Sequence, residues 1–253
     1  MASENPLTTA YQFHLYSYFR SSCAARLRIA LNLKQIPYTT TFINLLKGEQ
    51  LSPTHRALNP SASVPVLIVT TKDPSPNTEG TSNHAQPLSI GQSIAALEYL
   101  EELSTNTTNT NINNTTPLLL PPASSPQNRA RVRTLVNIIA CDIQPVTNMR
   151  IQQRVKALGA DNTLWARELM EAGFAALEAQ MKSCAGTYAV GDALSLADVC
   201  LVPAVWGAQR VGVDLAVYPT VKGVFERLEL LEEVRRAHWS RQPDTPEELR
   251  AVD

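Results

Sequence analysis

Apolar positions change their spacing part way along the chain, and the change divides it into two regions. In the first region, the β-forming stretch Gln12–Tyr16 precedes a polar turn and a run of apolar residues at helical spacing. The β-branched and aromatic stretch Ile36–Ile43 predicts a second strand, which completes a βαβ unit. An irregular segment at Gln50–Asn59 leads to a buried strand at Val64–Val69. A short strand and a one-sided apolar helix at Ile94–Leu103 follow.

The second region, which lies beyond the polar low-complexity stretch Ser104–Pro117, contains helical patterns only. Apolar residues recur near the helical period over about residues 127–157 and again over Leu164–Met181, which predicts two helices that pack together. A third helix is predicted to begin at Ser195 in a variant of the capping box, and a fourth covers Val221–Val234.

These two patterns predict an α/β plus all-α fold. We expect an α/β domain at residues 1–104, a polar linker at 105–126 and an all-helical domain at 127–253. The Asn- and Thr-rich part of the linker cannot bury enough apolar surface to offset the entropy of ordering it. It is therefore expected to connect two packed units.

Overall charge argues against two classes of partner. The chain has 22 Lys and Arg against 23 Asp and Glu, a net charge of −1, so no strong field attracts nucleic acid or an anionic membrane. The sequence has no apolar run long enough to span a bilayer and no signal-peptide pattern at its start. A cytoplasmic protein with a small-molecule substrate is the expectation.

The four cysteines are Cys23, Cys141, Cys184 and Cys200, and they are widely scattered. No CxxC pair or Cys/His spacing occurs, which argues against a zinc site and against a disulfide framework. We therefore expect thiols and no bound metal.

The first candidate functional residues are Ser21-Ser22-Cys23, where the polar turn meets the first long helix. Free N–H groups and the helix dipole favour an anion at such a helix start, and a hydroxyl there could donate to a thiolate. Either serine could instead serve only as the helix cap. Cys23 admits a further interpretation as a redox nucleophile, because a helix N-terminus lowers the pKa of a thiol.

Five segments of the chain together resemble the zeta class of glutathione transferases. They are YSYFRSSCAARLRIAL, NPSASVPVL, GQSIAALEYLEE, VGDALSLADVCLVP and RQPDTPEELRA. The serine-serine-cysteine turn followed by the Arg-x-Arg helix is the most specific of these features. The departures fall mainly in two insertions, the polar tract Lys72–Gln86 and the Asn/Thr linker, where the family has short connections. Both are expected to be surface loops.

The resemblance implies a fold, a cofactor and an assembly. The first domain would be thioredoxin-like and would bind glutathione, and the helical domain would lie on the substrate side. Transferases of this kind pair two copies around a two-fold axis, so a homodimer is expected. Val64-Pro65 matches the family's cis-proline turn, although an ordinary trans bond is commoner before a strand. The surrounding NPSASVPVL favours the cis form.

The resemblance also implies site residues. The implied catalytic residues, which would stabilise the thiolate and support isomerisation, are Ser21, Ser22 and Cys23. The implied glutathione-binding residues are Ser22, Cys23, Arg26, Gln50, Val64, Gln92, Ser93, Gln144 and Asn148. The implied substrate-binding residues are Arg26 and Arg210, and no metal ligand is implied. Met149 and Arg150 depart from the small polar ending of the family segment. Ser195 and Asp198 are assigned to folding.

The reaction that the resemblance implies is the isomerisation of maleylacetoacetate to fumarylacetoacetate in tyrosine and phenylalanine catabolism, by reversible addition of the glutathione thiolate to the double bond. Such an isomerase would also have glutathione transferase activity. The alternatives within this chemistry are a transferase that acts on α-haloacids and a maleylpyruvate isomerase. An alternative of another class is a non-catalytic, transferase-like binding protein.

Overall fold

The computed structural model describes residues 6–72, 86–108 and 117–251 of the chain. It divides the chain into two compact units, and the division differs at one end from the predicted boundaries. The first unit combines Met1–Pro117 with Arg236–Asp253, and the second unit is Leu118–Arg235.

Within the described ranges, the strands of the first unit form one mixed sheet with the order β2-β1-β3-β4. β1 pairs with β2 in parallel and with β3 in antiparallel, and β3 pairs with β4 in antiparallel. The parallel pair is the one that the predicted βαβ unit requires. The strands are β1 Tyr11–Ser17, β2 Thr39–Phe42, β3 Val66–Thr71 and β4 Leu88–Ile90.

Four helices accompany the sheet in the described part of the first 117 residues: α1 Pro6–Ala10, α2 Ser22–Leu33, α3 Pro53–Leu58 and α4 Ser93–Thr108. α2 packs against α4, and Leu27 and Leu100 lie fully buried in this core. The prediction of an irregular segment at Gln50–Asn59 is wrong over the six residues of α3. Ser52 accepts the His55 N–H there and Pro53 opens the helix, so a cap and a preset φ start a helix too short to show periodicity.

The second unit is helical in its described residues. Its helices are α5 Pro126–Asn137, α6 Gln144–Thr147, α7 Met149–Ala157, α8 Asn162–Met181, α9 Leu196–Arg210 and α10 Pro219–Leu228, and α11 Glu232–Ala237 crosses into the first unit. The single helix predicted over about 127–157 is wrong. The backbone is π-helical at Ile138–Ile143 and extended at Asn148, where the Asn148 side chain accepts the Ile151 N–H and starts a new helix.

The helix predicted at Val221–Val234 is also interrupted, between α10 and α11. The Arg235 guanidinium donates to the Glu229 carbonyl at 3.0 Å. A continuous helix would have given that carbonyl to the N–H four residues later. A side chain six residues away therefore takes the place of a helical hydrogen bond that periodicity alone predicts.

The last part of the chain, which the sequence assigned to the helical domain 127–253, groups with the first unit from Arg236 onward. The reason is a set of hydrogen bonds between side chains and backbone groups. The Arg28 guanidinium on α2 donates to the Ala237 carbonyl, and Asp244 accepts the Phe19 N–H. Neither link follows a local pattern that the sequence could display.

Both polar insertions fall largely outside the described residues. The linker predicted at 105–126 begins inside α4, which extends to Thr108, and residues 109–116 are outside the described ranges. Residues 73–85 of the other insertion are also outside them. In the part of the chain that the structure describes, no helix is long and apolar enough to cross a membrane. The same residues contain no cluster of His, Cys, Asp and Glu suited to a metal ion.

Candidate functional site

The first part of the site is the start of α2. Ser21 is the N-cap, and its side chain accepts the Ala24 N–H at 3.1 Å. Ser22 and Cys23 are the first two residues of the helix, they are partly buried, and no acidic residue occupies the first turn. The N–H groups of a first helical turn have no partner within the helix, and the dipole places positive potential there. This helix start can therefore receive an anion.

The turn before α2 is fixed by a buried arginine. The Ser21 N–H donates to the Tyr18 carbonyl at 3.0 Å and closes the turn. Arg28 lies on α2 and is 2% exposed. Its guanidinium donates to Ser17 Oγ at 3.0 Å and to the Phe19 carbonyl at 3.2 Å. Burial lowers the pKa of Arg28 to about 10, so the side chain stays charged at neutral pH. Arg28 on α2 therefore holds the turn that leads into Ser22.

The second part of the site is the segment before β3. The Val64-Pro65 peptide bond is cis, which confirms the prediction for this turn. Val64 is buried in one apolar cluster with Tyr18 and Phe19 from the turn before α2. Packing therefore joins the cis-proline segment to the turn that precedes the serines and the cysteine.

The third part of the site is the start of α4. Ser93 is its first residue and is buried, whereas Gln92 before it is exposed. Arg26 is 2% exposed, and its Nη1 donates to Ser93 Oγ at 3.1 Å. The structure therefore directs the Arg26 guanidinium to the start of α4. Arg26 Nε is buried without a hydrogen-bond partner.

A fourth part lies between β2 and α3. Gln50 sits in a short 3₁₀ turn, Glu49–Leu51, and its amide nitrogen donates to the Leu45 carbonyl at 3.5 Å. Gln50 Oε1 is buried without a hydrogen-bond partner. Leu45 packs against the cluster that contains Val64. Gln50 is therefore tied to the same apolar cluster as the cis-proline segment, and it carries an unused acceptor.

Asn59 joins two of these parts, although it was not among the residues predicted from the sequence. Its amide donates to the Ser63 carbonyl at 3.0 Å and to the Gly91 carbonyl at 3.5 Å, and its Oδ1 accepts the Ser61 N–H at 3.1 Å. A Cβ on Gly91 would lie 2.7 Å from Asn59 Oδ1, so the close approach requires glycine there. Asn59 thereby links the segment before Val64 to the residues that open α4. The available signal was its place at the head of NPSASVPVL.

The structure thus links most of the predicted residues of the first unit through one hydrogen bond, one apolar cluster and shared helices. Ser22 and Cys23 follow a turn that shares a cluster with Val64, Gln50 is tied to that cluster through Leu45, and Arg26 on the same helix bonds Ser93. Two helix N-termini, a buried guanidinium and an unused amide oxygen provide partners for a ligand with carboxylates, an amine and a thiol.

The remaining predicted residues belong to the second unit. Gln144 begins α6 directly after the π-helical stretch, and Asn148 caps α7 while its amide donates to the Pro145 carbonyl at 3.0 Å. Arg210 is the last residue of α9 and is exposed. A Cβ on Gly173 of α8 would lie 2.2 Å from Ile143 Cγ1, so the π-helical stretch that leads to Gln144 packs onto a glycine.

Ser195 and Asp198 form the capping box that the sequence predicted at the start of α9. Asp198 accepts the Ser195 N–H at 2.9 Å, the Ser195 hydroxyl at 2.7 Å and the Ala189 N–H at 2.8 Å. Both residues are buried, and burial raises the pKa of Asp198 to about 6. Every contact of this carboxylate is internal, which supports a role in folding.

Comparison with family models gives two matches. The N-terminal domain of glutathione S-transferase matches residues 20–103, and the C-terminal domain of glutathione S-transferase matches residues 152–232. The first match contains the α2 start, the cis-proline segment and the α4 start, and the second contains the capping box. The two matched ranges together cover more than half of the chain.

Curated relatives and solved structures agree with these matches. The chain is 53% identical to maleylacetoacetate isomerase maiA of Aspergillus fumigatus, over 96% of this chain and 97% of the relative. It is 54% identical to maleylacetoacetate isomerase of Emericella nidulans, over 93% and 95%.

Among solved structures, the chain is similar to holo maleylpyruvate isomerase, a bacterial glutathione S-transferase of the zeta class. The TM-score is 0.76 at 38% identity, over 92% of this chain and 100% of that one. It is also similar to maleylacetoacetate isomerase of Anaeromyxobacter dehalogenans with bound dicarboxyethyl glutathione and citrate in the active site. That TM-score is 0.76 at 36% identity, over 94% and 99%.

Proposed function

The chain belongs to the glutathione S-transferase family, and from that premise we propose that it catalyses the glutathione-dependent isomerisation of maleylacetoacetate to fumarylacetoacetate in tyrosine and phenylalanine catabolism. Maleylacetoacetate isomerases at 53% and 54% identity over most of the chain support the reaction. One observation carries the proposal for this chain. The start of α2 presents Ser22 and Cys23, partly buried and without a neighbouring acid, at a positive helix end.

Glutathione fits the residues of the first unit. It has two carboxylates, one α-amine, two peptide groups and a thiol. Gln50 Oε1 and Arg26 Nε are buried polar atoms without partners, one an acceptor and the other a donor. Ser93 opens α4, whose N-terminus favours a carboxylate. We assign glutathione binding in the first unit to Ser22, Cys23, Arg26, Gln50, Val64, Gln92 and Ser93.

Bound glutathione supplies a thiolate that adds reversibly to the substrate's double bond, so that the bond can rotate before the thiolate leaves. The chain's task is to keep that sulfur ionised near neutral pH. The Ser22 hydroxyl and the first N–H groups of α2 can donate to it, and the helix dipole favours its negative charge. Ser21 acts indirectly, because its own hydroxyl accepts the Ala24 N–H and fixes the helix start.

The substrate carries carboxylates, and we propose Arg210 as the residue that binds one of them. Arg210 ends α9 and is exposed, and a guanidinium can hold a carboxylate with two charge-assisted hydrogen bonds. The Anaeromyxobacter relative, whose active site contains dicarboxyethyl glutathione and citrate, supports an active site for carboxylates. The location of Arg26 at Ser93 favours its glutathione role over a substrate role.

Maleylpyruvate is the second candidate substrate, and the likeness to a maleylpyruvate isomerase at 38% identity favours it. The decisive assay follows the loss of enol absorbance of each substrate with and without glutathione. We expect glutathione-dependent turnover with a higher kcat/KM for maleylacetoacetate. Reaction that is indifferent to glutathione would refute the proposed function. A reversed order of kcat/KM would assign the chain to maleylpyruvate.

We further propose a homodimer in the cytoplasm. Pairing around a two-fold axis is the common assembly of small enzymes, and light scattering should give twice the monomer mass. The chain forms no disulfide between its four cysteines, all of which lie in described residues, and this fits a reducing compartment. A monomer mass that does not change with concentration would exclude the dimer.

A further inference from the structure

The C-terminal tail, defined as residues 236–251, has a compact fold of its own. The Gln242 amide donates to the carbonyls of Arg236 and His238, both at 2.9 Å. Thr245 is 2% exposed and its hydroxyl donates to the Trp239 carbonyl. Side chains and backbone thus cross-link the tail, so that it can act as one element rather than as a loose end.

This tail holds the turn before α2 through the backbone of a single residue. Asp244 Oδ2 accepts the Phe19 N–H at 2.8 Å, although the two residues are 225 positions apart. The Phe19 carbonyl on the other side accepts from Arg28 Nη2 at 3.2 Å. Both backbone polar groups of Phe19 are therefore engaged, one by the tail and one by α2.

Arg28, which lies on α2, connects this helix to the tail and to β1. Its Nε and Nη2 donate to the Ala237 carbonyl of the tail at 3.2 and 3.1 Å, while Nη1 donates to Ser17 Oγ at the end of β1. Burial raises the pKa of Asp244, while the charge of Arg28 acts in the opposite direction, and Asp244 Oδ1 is buried without a hydrogen-bond partner. A buried carboxylate oxygen without a hydrogen-bond partner lowers stability, which favours a role for Asp244 beyond stability.

Apolar packing extends the link to the cis-proline segment. Trp239 of the tail packs against the buried cluster of Tyr18, Phe19 and Val64. The tail therefore contacts two segments. One is the turn that precedes Ser22, and the other is the cis-proline segment that contains Val64.

We propose that the tail, through Asp244 and Arg28, is a positioning device that holds the turn before α2, and with it Ser22 and Cys23, in the conformation that binds glutathione. This inference rests on the proposed function, since it concerns the same ligand. Asp244 and Arg28 are positioning residues. They act through Phe19 and the turn and are not proposed to touch glutathione or the substrate.

The test measures glutathione affinity by calorimetry in the full-length chain. Asp244→Ala removes the acceptor of the Phe19 N–H, and we expect the Kd for glutathione to rise about tenfold, as the loss of one hydrogen bond to a charged group implies. Asp244→Asn retains a carbonyl oxygen at the same place and should stay within about threefold of the wild type. Glu248→Ala removes the same charge from an exposed position of the tail and should leave Kd unchanged.

The outcomes separate the two proposals. Wild-type protein that does not bind glutathione would refute the proposed function. Wild-type binding with an equal Kd in Asp244→Ala would refute the positioning role, even if the variant melts at a lower temperature, because the tail would then serve stability alone.

Hydrogen exchange of the wild type gives a second test that needs no variant, so a failure of Asp244→Ala to fold leaves the question decidable. Coupling is reciprocal: if the docked tail favours glutathione binding, bound glutathione must favour the docked tail. Saturating glutathione should slow exchange at residues 238–245 several-fold and leave α1 unchanged. Tail exchange that does not respond to glutathione would overturn the proposal.

Discussion

α2 and α9 both begin with a serine as N-cap, and their first turns are built differently. At α9, Ser195 is followed by Asp198, and the buried carboxylate accepts from the Ser195 backbone, the Ser195 hydroxyl and the Ala189 N–H. At α2, Ser21 accepts the Ala24 N–H, and the first turn contains no acid. One helix start provides its own negative charge, whereas the other does not.

The difference shows how one local motif can serve two purposes. A positive helix end next to a buried carboxylate is satisfied within the fold, so the α9 start adds stability and offers nothing to a ligand. The α2 start keeps its positive potential and lies partly exposed at Ser22 and Cys23. The sequence alone hints at this, because an acid stands three residues after Ser195 and none stands three residues after Ser21.

The strongest test of this comparison is to remove Asp198, the acid at the start of α9. Asp198→Ala leaves two buried N–H donors and the Ser195 hydroxyl without their acceptor. We expect a loss of about 3–4 kcal/mol in the free energy of unfolding, since each unsatisfied buried group costs about 1–3 kcal/mol. Urea denaturation measures it. A loss below about 1 kcal/mol would show that the capping box contributes no more than an ordinary cap.

The pH dependence of the same residue is the next largest effect. Burial raises the pKa of Asp198 from 3.8 to about 6 in the folded chain. Between these values the folded chain keeps a proton that the unfolded chain has released. The stability from this group is therefore full below about pH 4 and is lost as the pH rises through 6. Relative to Asp198→Asn, wild-type unfolding free energy should fall by about 2.4 kcal/mol between pH 4 and 7. A difference that is flat with pH would contradict this.

At the start of α2, the expected effect is on catalysis. Ser22→Ala should lower kcat about ten- to a hundredfold by removing one donor to the sulfur, with unfolding free energy unchanged. Ser21→Ala is the matched control. It removes the cap on Ala24 and should cost about 1 kcal/mol of stability. Ultraviolet titration of bound glutathione checks the cause, and an unshifted thiol pKa in Ser22→Ala would refute the role of Ser22.

The smallest expected effect comes from adding an acidic residue to the first turn of α2. Ser22→Asp places a carboxylate in the first turn of α2, as α9 has, and should stabilise the helix by about 0.3–1 kcal/mol. The same charge would repel a thiolate, so glutathione affinity should fall while stability rises. Thermal melting and calorimetry on one sample show whether the two change in opposite directions. Equal or tighter binding of glutathione would contradict the comparison.

Much of the fold could be predicted because its signals are local. β1, α2 and β2 followed from residue spacing, and the capping box at Ser195 followed from residues three apart. The break at Asn148 and the short helix α3 escaped because one cap residue outweighed the surrounding periodicity. The hydrogen bond from Phe19 to Asp244 could not be predicted at all, since it joins residues 225 positions apart.

The candidate site divides in the same way. Ser22, Cys23 and Val64 were named from motifs whose chemistry is visible within a few residues. Asn59 and Arg28 were present in the quoted segments, but their roles depend on carbonyl groups that only the folded chain brings near. Positioning residues are difficult to find in a sequence because they bond backbone atoms, which every residue type possesses.

The first unit is built from two separate stretches of the sequence, and this has a consequence for synthesis. Residues 6–117 leave the ribosome before the helical unit, but Asp244 and Trp239 follow only after Leu118–Arg235 has been translated. Domains generally fold in the order in which they emerge. Here the nascent sheet and α2 must wait, with the turn at Phe19 unclamped, until the helical unit has emerged. Phe19 would then gain its hydrogen bond to Asp244 late in synthesis, and products truncated before the tail would bind glutathione more weakly.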